Sequence, residues 1–249
     1  MNVEVLFENA DFLAVNKPAG LLVHGIFDKY GPKHSEKTLV DWILENYPEI
    51  KNVGDMPVHN SEAGEFPFRP GIVHRLDRET SGVLLIAKNQ KSFEYLKGLF
   101  QGKQVVKNYE ALVWGRLKEK QGVIDKPISI RNGSVKRTVF KGKAPREAVT
   151  EYELLSVYED EHGSEFSLVL AKPKTGRTHQ IRVHFASIGH PLVGDKLYGK
   201  RGSIAGLERH FLHAKSLEFD NYKIEAPLAD DLEKVLNTLE KTGDSVENY

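Results

Sequence analysis

Apolar and polar residues alternate from Val3 to Val23, the period-two signature of strands. Lys17-Pro18-Ala19-Gly20 interrupts that alternation as a turn between two short strands. Residues 26–37 carry no period and read as a loop. In LVDWILENY, by contrast, Leu39, Trp42 and Ile43 recur at helical spacing, with Thr38 placed to cap the helix and Pro48 to end it. Residues 52–70 are rich in Gly, Pro, Asn and acids, and read as a long surface loop of the kind that often carries function.

The run Val83 to Ala87, VLLIA, is apolar throughout and predicts a buried strand. A helix is expected over Lys91 to Phe100. Strand-like runs follow at Asn108 to Val113, Ser134 to Phe140, Ala148 to Tyr158 and Phe166 to Ala171. Thr178 to Ile188 returns to helical spacing, with Ile181, Phe185 and Ile188 on one face, Thr178 as cap and Gly189 as stop. His210 to Phe219 reads as a strand and Asp230 to Leu239 as a helix. Strands outnumber helices and rarely alternate with them, which predicts an α+β fold with a mainly antiparallel sheet. No internal repeat or low-complexity tract is visible.

Composition narrows the class. At 249 residues, 40% hydrophobic and 28% charged, the chain is globular and long enough to bury a sizeable core. There is no apolar run of membrane-spanning length and no basic-then-apolar leader, so the expectation is a cytoplasmic protein. Zero cysteines exclude disulfides and thiolate metal sites. The formal net charge is +0, but it is the sum of opposed blocks. Residues 97–146 carry 13 Lys/Arg against 3 Asp/Glu and residues 171–215 carry 9 against 2, whereas 1–66, 147–170 and 218–249 are acidic. Local positive blocks are what bind a polyanion, although alternating charge also serves solubility.

Candidate chemistry concentrates in His74-Arg75-Leu76-Asp77-Arg78-Glu79-Thr80-Ser81-Gly82. A loop leading into a rigid strand is where reactive groups are usually presented. An aspartate between two arginines is favoured in its charged form, and a positioned carboxylate can attack an anomeric carbon. The same string also fits an exposed ion-pair cluster that closes a turn. The histidines at 179, 184, 190 and 213 lack a metal-binding spacing. Gly176, in KTGRT, lacks the spacing of a phosphate-binding glycine loop.

HRLDRETSG resembles the signature of the RluA family of pseudouridine synthases: His-Arg-Leu-Asp, two variable residues, then Thr-Ser-Gly. Val15 to His24 (VNKPAGLLVH), Lys107 to Gly115 (KNYEALVWG), Thr175 to Gly199 (TGRTHQIRVHFASIGHPLVGDKLYG) and Phe211 to Phe219 (FLHAKSLEF) resemble further family motifs in the family's order. The resemblance spans about residues 3 to 220 and leaves 221–249 as an acidic helix and tail. It implies one catalytic domain, 1–249, built as a mixed, bent sheet flanked by helices with a central cleft. The small N-terminal RNA-binding domain that many members carry is not expected. His74, where a related family has glycine, favours the RluA type.

By that resemblance Asp77 is the catalytic carboxylate, Arg182 the arginine that pairs with it, and Tyr109 the active-site tyrosine. Arg75 is the residue expected to enter the RNA stack when the target uridine is extruded, a step the buried anomeric carbon demands. His74, Thr80, Lys17, Lys107, Arg177, His179 and Gln180 are further candidates for contact with RNA, with Lys17 and Lys107 expected at phosphates and His74 expected also to support the loop. The reaction detaches uracil, rotates it and rebonds it through carbon 5, and so needs no cofactor and no metal. The expected partner is ribosomal or transfer RNA, met by a monomer. Two other readings remain open: a non-catalytic RNA-binding chaperone of the same fold, and an unrelated acid/base hydrolase.

Overall fold

The computed structural model describes residues 2–25, 27–28, 31–32, 36–55, 69–131, 136–140, 142–199, 202 and 204–244. Most of the loop expected over 52–70, much of that over 26–37, and the start of the strand expected from Ser134 therefore lie outside the described residues. The chain forms two compact units, Met1–Val105 with Glu218–Ala226, and Val106–Leu217 with Pro227–Tyr249.

In the first unit, β1 (Glu4–Glu8), β2 (Phe12–Lys17) and β5 (Ser81–Ala87) form an antiparallel ladder in that order. Two-residue strands β3 (Phe27–Asp28) and β4 (Gly31–Pro32) pair with each other. The expected strand directly after the Pro18–Gly20 turn does not form: residues 21–25 are irregular, and the turn's carbonyls accept from a side chain instead of from a ladder. Every residue of β5 is buried, as its unbroken apolar run requires. Helix α1 (Leu39–Asn46) buries Leu39, Trp42 and Ile43, and Thr38 caps it in a capping box with Asp41. Helix α2 (Gln90–Gln101) starts the same way, with Asn89 and Ser92, and buries Phe93, Leu96 and Leu99. The returning segment adds β14 (Tyr222–Glu225), and Phe7, Phe12, Phe219 and Tyr222 meet edge-on or stacked at centroid separations of 5.0–5.5 Å.

The second unit is organised on β6 (Val106–Trp114), β11 (Val149–Glu159), β12 (Glu165–Pro173) and β13 (Leu212–Phe219), in the order β13-β6-β12-β11. β7 (Gln121–Asp125) and β15 (Glu240–Asp244) pair with successive stretches of β11. Alternation assigns the two faces. Ala111, Val113, Val169 and Ala171 pack with Ile181 and Phe185 of α3 (Gln180–Ser187). Leu112, Trp114, Phe166 and Leu168 pack with Leu232 and Val235 of α4 (Asp230–Asn237). A separate small sheet, β10-β8-β9, joins Ile128–Ile130 (β8), Arg137–Thr138 (β9) and Lys143–Arg146 (β10). The fold is thus α+β, with antiparallel pairing in the ladders of both units.

The start of α3 differs from expectation. The helix begins at Gln180, and the cap position belongs to His179, in the left-handed conformation at φ 57°, not to Thr178. The reason is Gln180 itself. Its Oε1 accepts from Arg177 N (3.0 Å) and Thr175 Oγ1 (2.7 Å), which ties the first helical residue to the turn before it and leaves the helix without a side-chain cap. α3 is also buried on nearly all sides, Arg182 and His184 included.

Candidate functional site

Asp77 stands in a loop that is clamped to the β2 turn. Gly20 N donates to Arg78 O (2.9 Å), Arg78 Nε returns a bond to Gly20 O (3.0 Å), and Thr80 N closes the turn on Asp77 O (3.1 Å). Gly20 holds φ +81°, which a residue with a side chain would adopt only under strain. Arg78 Nη2 also donates to Glu36 at 2.7 Å. The peptide segment carrying the carboxylate is therefore fixed from both sides before any substrate arrives.

Lys17 accounts for much of this rigidity, and its place corrects the expectation of a phosphate contact. Its side chain is fully buried, and Nζ donates to Pro18 O (2.8 Å), Leu21 O (2.9 Å) and Arg78 O (3.0 Å). An ammonium is buried only where its protons are matched, and here three carbonyls of the two touching loops match them. Thr80 is likewise interior, at 2% exposure. His74 accepts from Leu85 N at Nε2 (2.9 Å) and stacks on Phe100 with centroids 4.5 Å apart, which makes it the loop's support on β5 and α2. Arg75, one residue on, is exposed, and its Nη1 lies 3.1 Å from His24 Nε2.

In the second unit, Tyr109 stands opposite Ala171 on β12 and is partly buried against the α3-side core. Lys107 is two residues earlier on the same strand, so the two share a face. Arg182 is buried and bidentate: Nε donates to Asp195 Oδ2 (2.8 Å) and Nη2 to Asp195 Oδ1 (3.0 Å). Its guanidinium also lies 5.3 Å from the centroid of Tyr198. Asp195 Oδ1 accepts from Leu197 N and Tyr198 N as well. Burial pushes the Asp195 carboxyl up, but the hydrogen bonds and charge of Arg182 and those two amides outweigh it and hold it below the usual carboxylate range. Gly194, just before, stands at φ +72° with the backbone carbonyl of Arg209 occupying the place a Cβ would need.

Tyr198 OH links this cluster outward, accepting from Arg137 N (2.8 Å) and bonding His179 Nδ1 (2.9 Å). Arg177 Nε donates to Glu147 O (3.0 Å). Gln180 is buried, and its amide is divided among Thr175, Arg177, Val149 and Thr150, so its expected contact with RNA is corrected to an internal tie. His184, also buried, lies between Thr150 Oγ1 and Lys126 O. Sequence reasoning assigns no role to Asp195, Tyr198 or His24. The signal for the first two is an acid and an aromatic in GDKLYG, inside an otherwise basic block; for His24, a histidine that closes an otherwise apolar string.

The model of the RNA pseudouridylate synthase family matches residues 11–187. A Bacillus subtilis protein named as an uncharacterised RNA pseudouridine synthase is 35% identical over 249 residues, 98% of this chain and 75% of the relative. The dual-specificity RNA pseudouridine synthase RluA of Vibrio parahaemolyticus is 33% identical over 218 residues, 87% of this chain and 77% of the relative. An Aquifex aeolicus protein named as an uncharacterised RNA pseudouridine synthase is 40% identical over 201 residues, 81% of this chain and 57% of the relative. Among solved structures, human RNA pseudouridylate synthase domain containing 1 superposes with a TM-score of 0.70 at 27% identity, covering 98% of this chain and 90% of that one. The chain belongs to the RNA pseudouridylate synthases, the isomerases that convert uridine in RNA into pseudouridine.

Proposed function

We propose that this chain isomerises a uridine of ribosomal or transfer RNA, with Asp77 as the catalytic carboxylate. The observation that carries the reading is the clamped loop: a carboxylate whose backbone is fixed by Lys17, Gly20 and Thr80 meets the need for an oriented nucleophile or counter-charge at carbon 1 of the ribose. The bond from that carbon to N1 of uracil breaks, the base turns, and a bond to C5 replaces it. The proton leaves C5 and N1 gains one, so the RNA chain stays intact and no redox partner enters. Tyr109 supplies an aromatic face and a hydroxyl to the base, and Arg182, aligned by Asp195, supplies a fixed guanidinium to a carboxylate. Arg75 enters the RNA stack in place of the extruded uridine. Lys107, Arg177 and His179 meet the RNA strand.

One relative is named as a ribosomal large subunit pseudouridine synthase, which supports ribosomal RNA as the substrate to test first, and another as dual-specificity, which supports testing a second class, transfer RNA, beside it. No described helix is long and apolar enough to cross a membrane, and we take the enzyme to work as a monomer in the cytoplasm, where both RNAs are made. Nucleoside analysis of transcripts incubated with the protein tests the reading. Pseudouridine appearing at the expense of uridine, without free uracil or strand breaks, is expected. Free uracil would assign the loop to a hydrolase instead.

A further inference from the structure

His24 forms two contacts that together fix its protonation. Nδ1 is 2.9 Å from Gly25 O, which can only accept, so Nδ1 carries the proton. Nε2 is 3.1 Å from Arg75 Nη1, which can only donate, so Nε2 carries a lone pair. The ring is thus neutral and of one tautomer, and it is 8% exposed. Burial first, and then the charges of Arg69 and Arg75, push it down to about 4 against the opposing bond from Gly25, so it stays neutral at physiological pH.

The choice of a neutral acceptor matters. Arg78, Arg182 and Arg209 each meet a carboxylate, Glu36, Asp195 and Asp231, at 2.6–2.8 Å. Arg75 meets an imidazole, and among the described residues no carboxylate bonds to it. One of its N–H groups is held while its charge is left whole. Arg69, half-buried and with its hold on its proton weakened by burial and then by Arg75, adds a second positive charge. Arg75 is two residues from Asp77 and exposed. A carboxylate at position 24 would hold the guanidinium more tightly but cancel the charge that a polyanion needs.

We propose that His24 is the positioning residue for Arg75: its uncharged ring aims the guanidinium while leaving its full charge for the RNA strand. The inference rests on the reading of the chain as an RNA isomerase acting through the Asp77 loop. It adds to that reading why the motif around Lys17 ends on a histidine.

Three variants separate holding from charge. His24→Leu removes the acceptor, His24→Gln keeps a neutral one, and His24→Glu keeps an acceptor but adds an opposing charge. With a large-subunit ribosomal RNA transcript, His24→Leu is expected to weaken binding about tenfold, the scale of one hydrogen bond to a charged group, and His24→Gln to recover most of that loss. His24→Glu should lower the slope of log affinity against log salt by about one, which a merely structural role would not do. In an Arg75→Ala background His24→Leu and His24→Gln should bind alike. Equal weakening by His24→Leu with and without Arg75 would overturn the proposal, and so would an unchanged salt slope for His24→Glu. The ¹⁵N spectrum of the wild-type histidines, expected to give His24 as the Nδ1–H tautomer at neutral pH, tests the geometry without RNA. The opposite tautomer refutes it. A wild type that binds RNA yet forms no pseudouridine would instead sink the functional reading and leave the His24 result standing.

Discussion

Replacing Asp195 by Asn changes one atom in the best-defined ion pair of the second unit, and its cost follows from the geometry. The carboxylate side chain is fully buried, the Arg182 side chain is 9% exposed, and their N–O separation is 2.8 Å. Asn keeps the volume and keeps an oxygen for Leu197 N and Tyr198 N. It turns the other oxygen into an N–H donor facing a guanidinium that can only donate, and it removes a full negative charge from beside that buried cation. Breaking one side of a buried pair typically costs about 3–5 kcal/mol, a large share of a total stability of about 5–15 kcal/mol. Since the oxygen that serves the two amides survives, the lower end, about 3 kcal/mol, is expected. Urea unfolding in a Trp42→Phe background gives the readout, because Trp114 then reports on the second unit alone. The pH dependence adds a sign. The Asp195 value is depressed, so its contribution is complete above the ordinary 3.8 and is lost as pH falls through the lower folded value. The gap between wild type and Asp195→Asn should therefore hold at neutral pH and close only below that range. Replacing both residues, Arg182→Met with Asp195→Leu, should recover much of the loss. A single variant within about 0.5 kcal/mol of wild type at pH 7 would refute the argument that this pair is a matched, buried unit.

Other consequences are equally concrete. Lys17→Met strands three carbonyls at once and should destabilise the first unit by about 2–4 kcal/mol, with a fall in turnover that exceeds any fall in RNA affinity; thermal melts and kinetics check it, and loss of affinity alone would restore a phosphate-binding role. Gly194→Ala drives a Cβ into the Arg209 carbonyl at φ +72°, and should cost about 3 kcal/mol or prevent folding, read from unfolding midpoints; a silent substitution would contradict the turn. His24 falls from an ordinary 6.5 to about 4, so on acidification the unfolded chain takes the proton first. Its contribution is complete above 6.5 and declines toward pH 4 by about 2–3 kcal/mol, so wild type should lose stability more steeply over that interval than His24→Gln; parallel curves would contradict it.

How much of this is legible in the sequence depends on whether a residue's partners are local. Val83 to Ala87 is buried on every position because an unbroken apolar run allows nothing else, and Thr38 caps α1 because its partner, Asp41, is three residues away. The α3 start escapes the pattern because it is set by Gln180, whose amide is tied to Val149 and Thr150, which lie 31 and 30 positions upstream. Lys17 reads as a surface cation because lysine usually is one. What buries it is Arg78 O, 61 positions on, which only the antiparallel β2–β5 ladder brings near. Asp77, Tyr109 and Arg182 emerge through motif resemblance, whereas Asp195 and His24 act through another side chain, and composition does not announce such roles.

The central claim is tested most directly with RNA tritiated at carbon 5 of uridine, comparing wild type with Asp77→Asn on ribosomal and transfer RNA transcripts. Forming a bond to that carbon must expel the tritium into water. Release by the wild type from one of the two RNAs, abolished by Asp77→Asn while RNA binding and unfolding midpoint are retained, is the predicted result. Equal release by both proteins would contradict the role of Asp77, and no release from either RNA by a folded, RNA-binding wild type would contradict the assignment of the reaction.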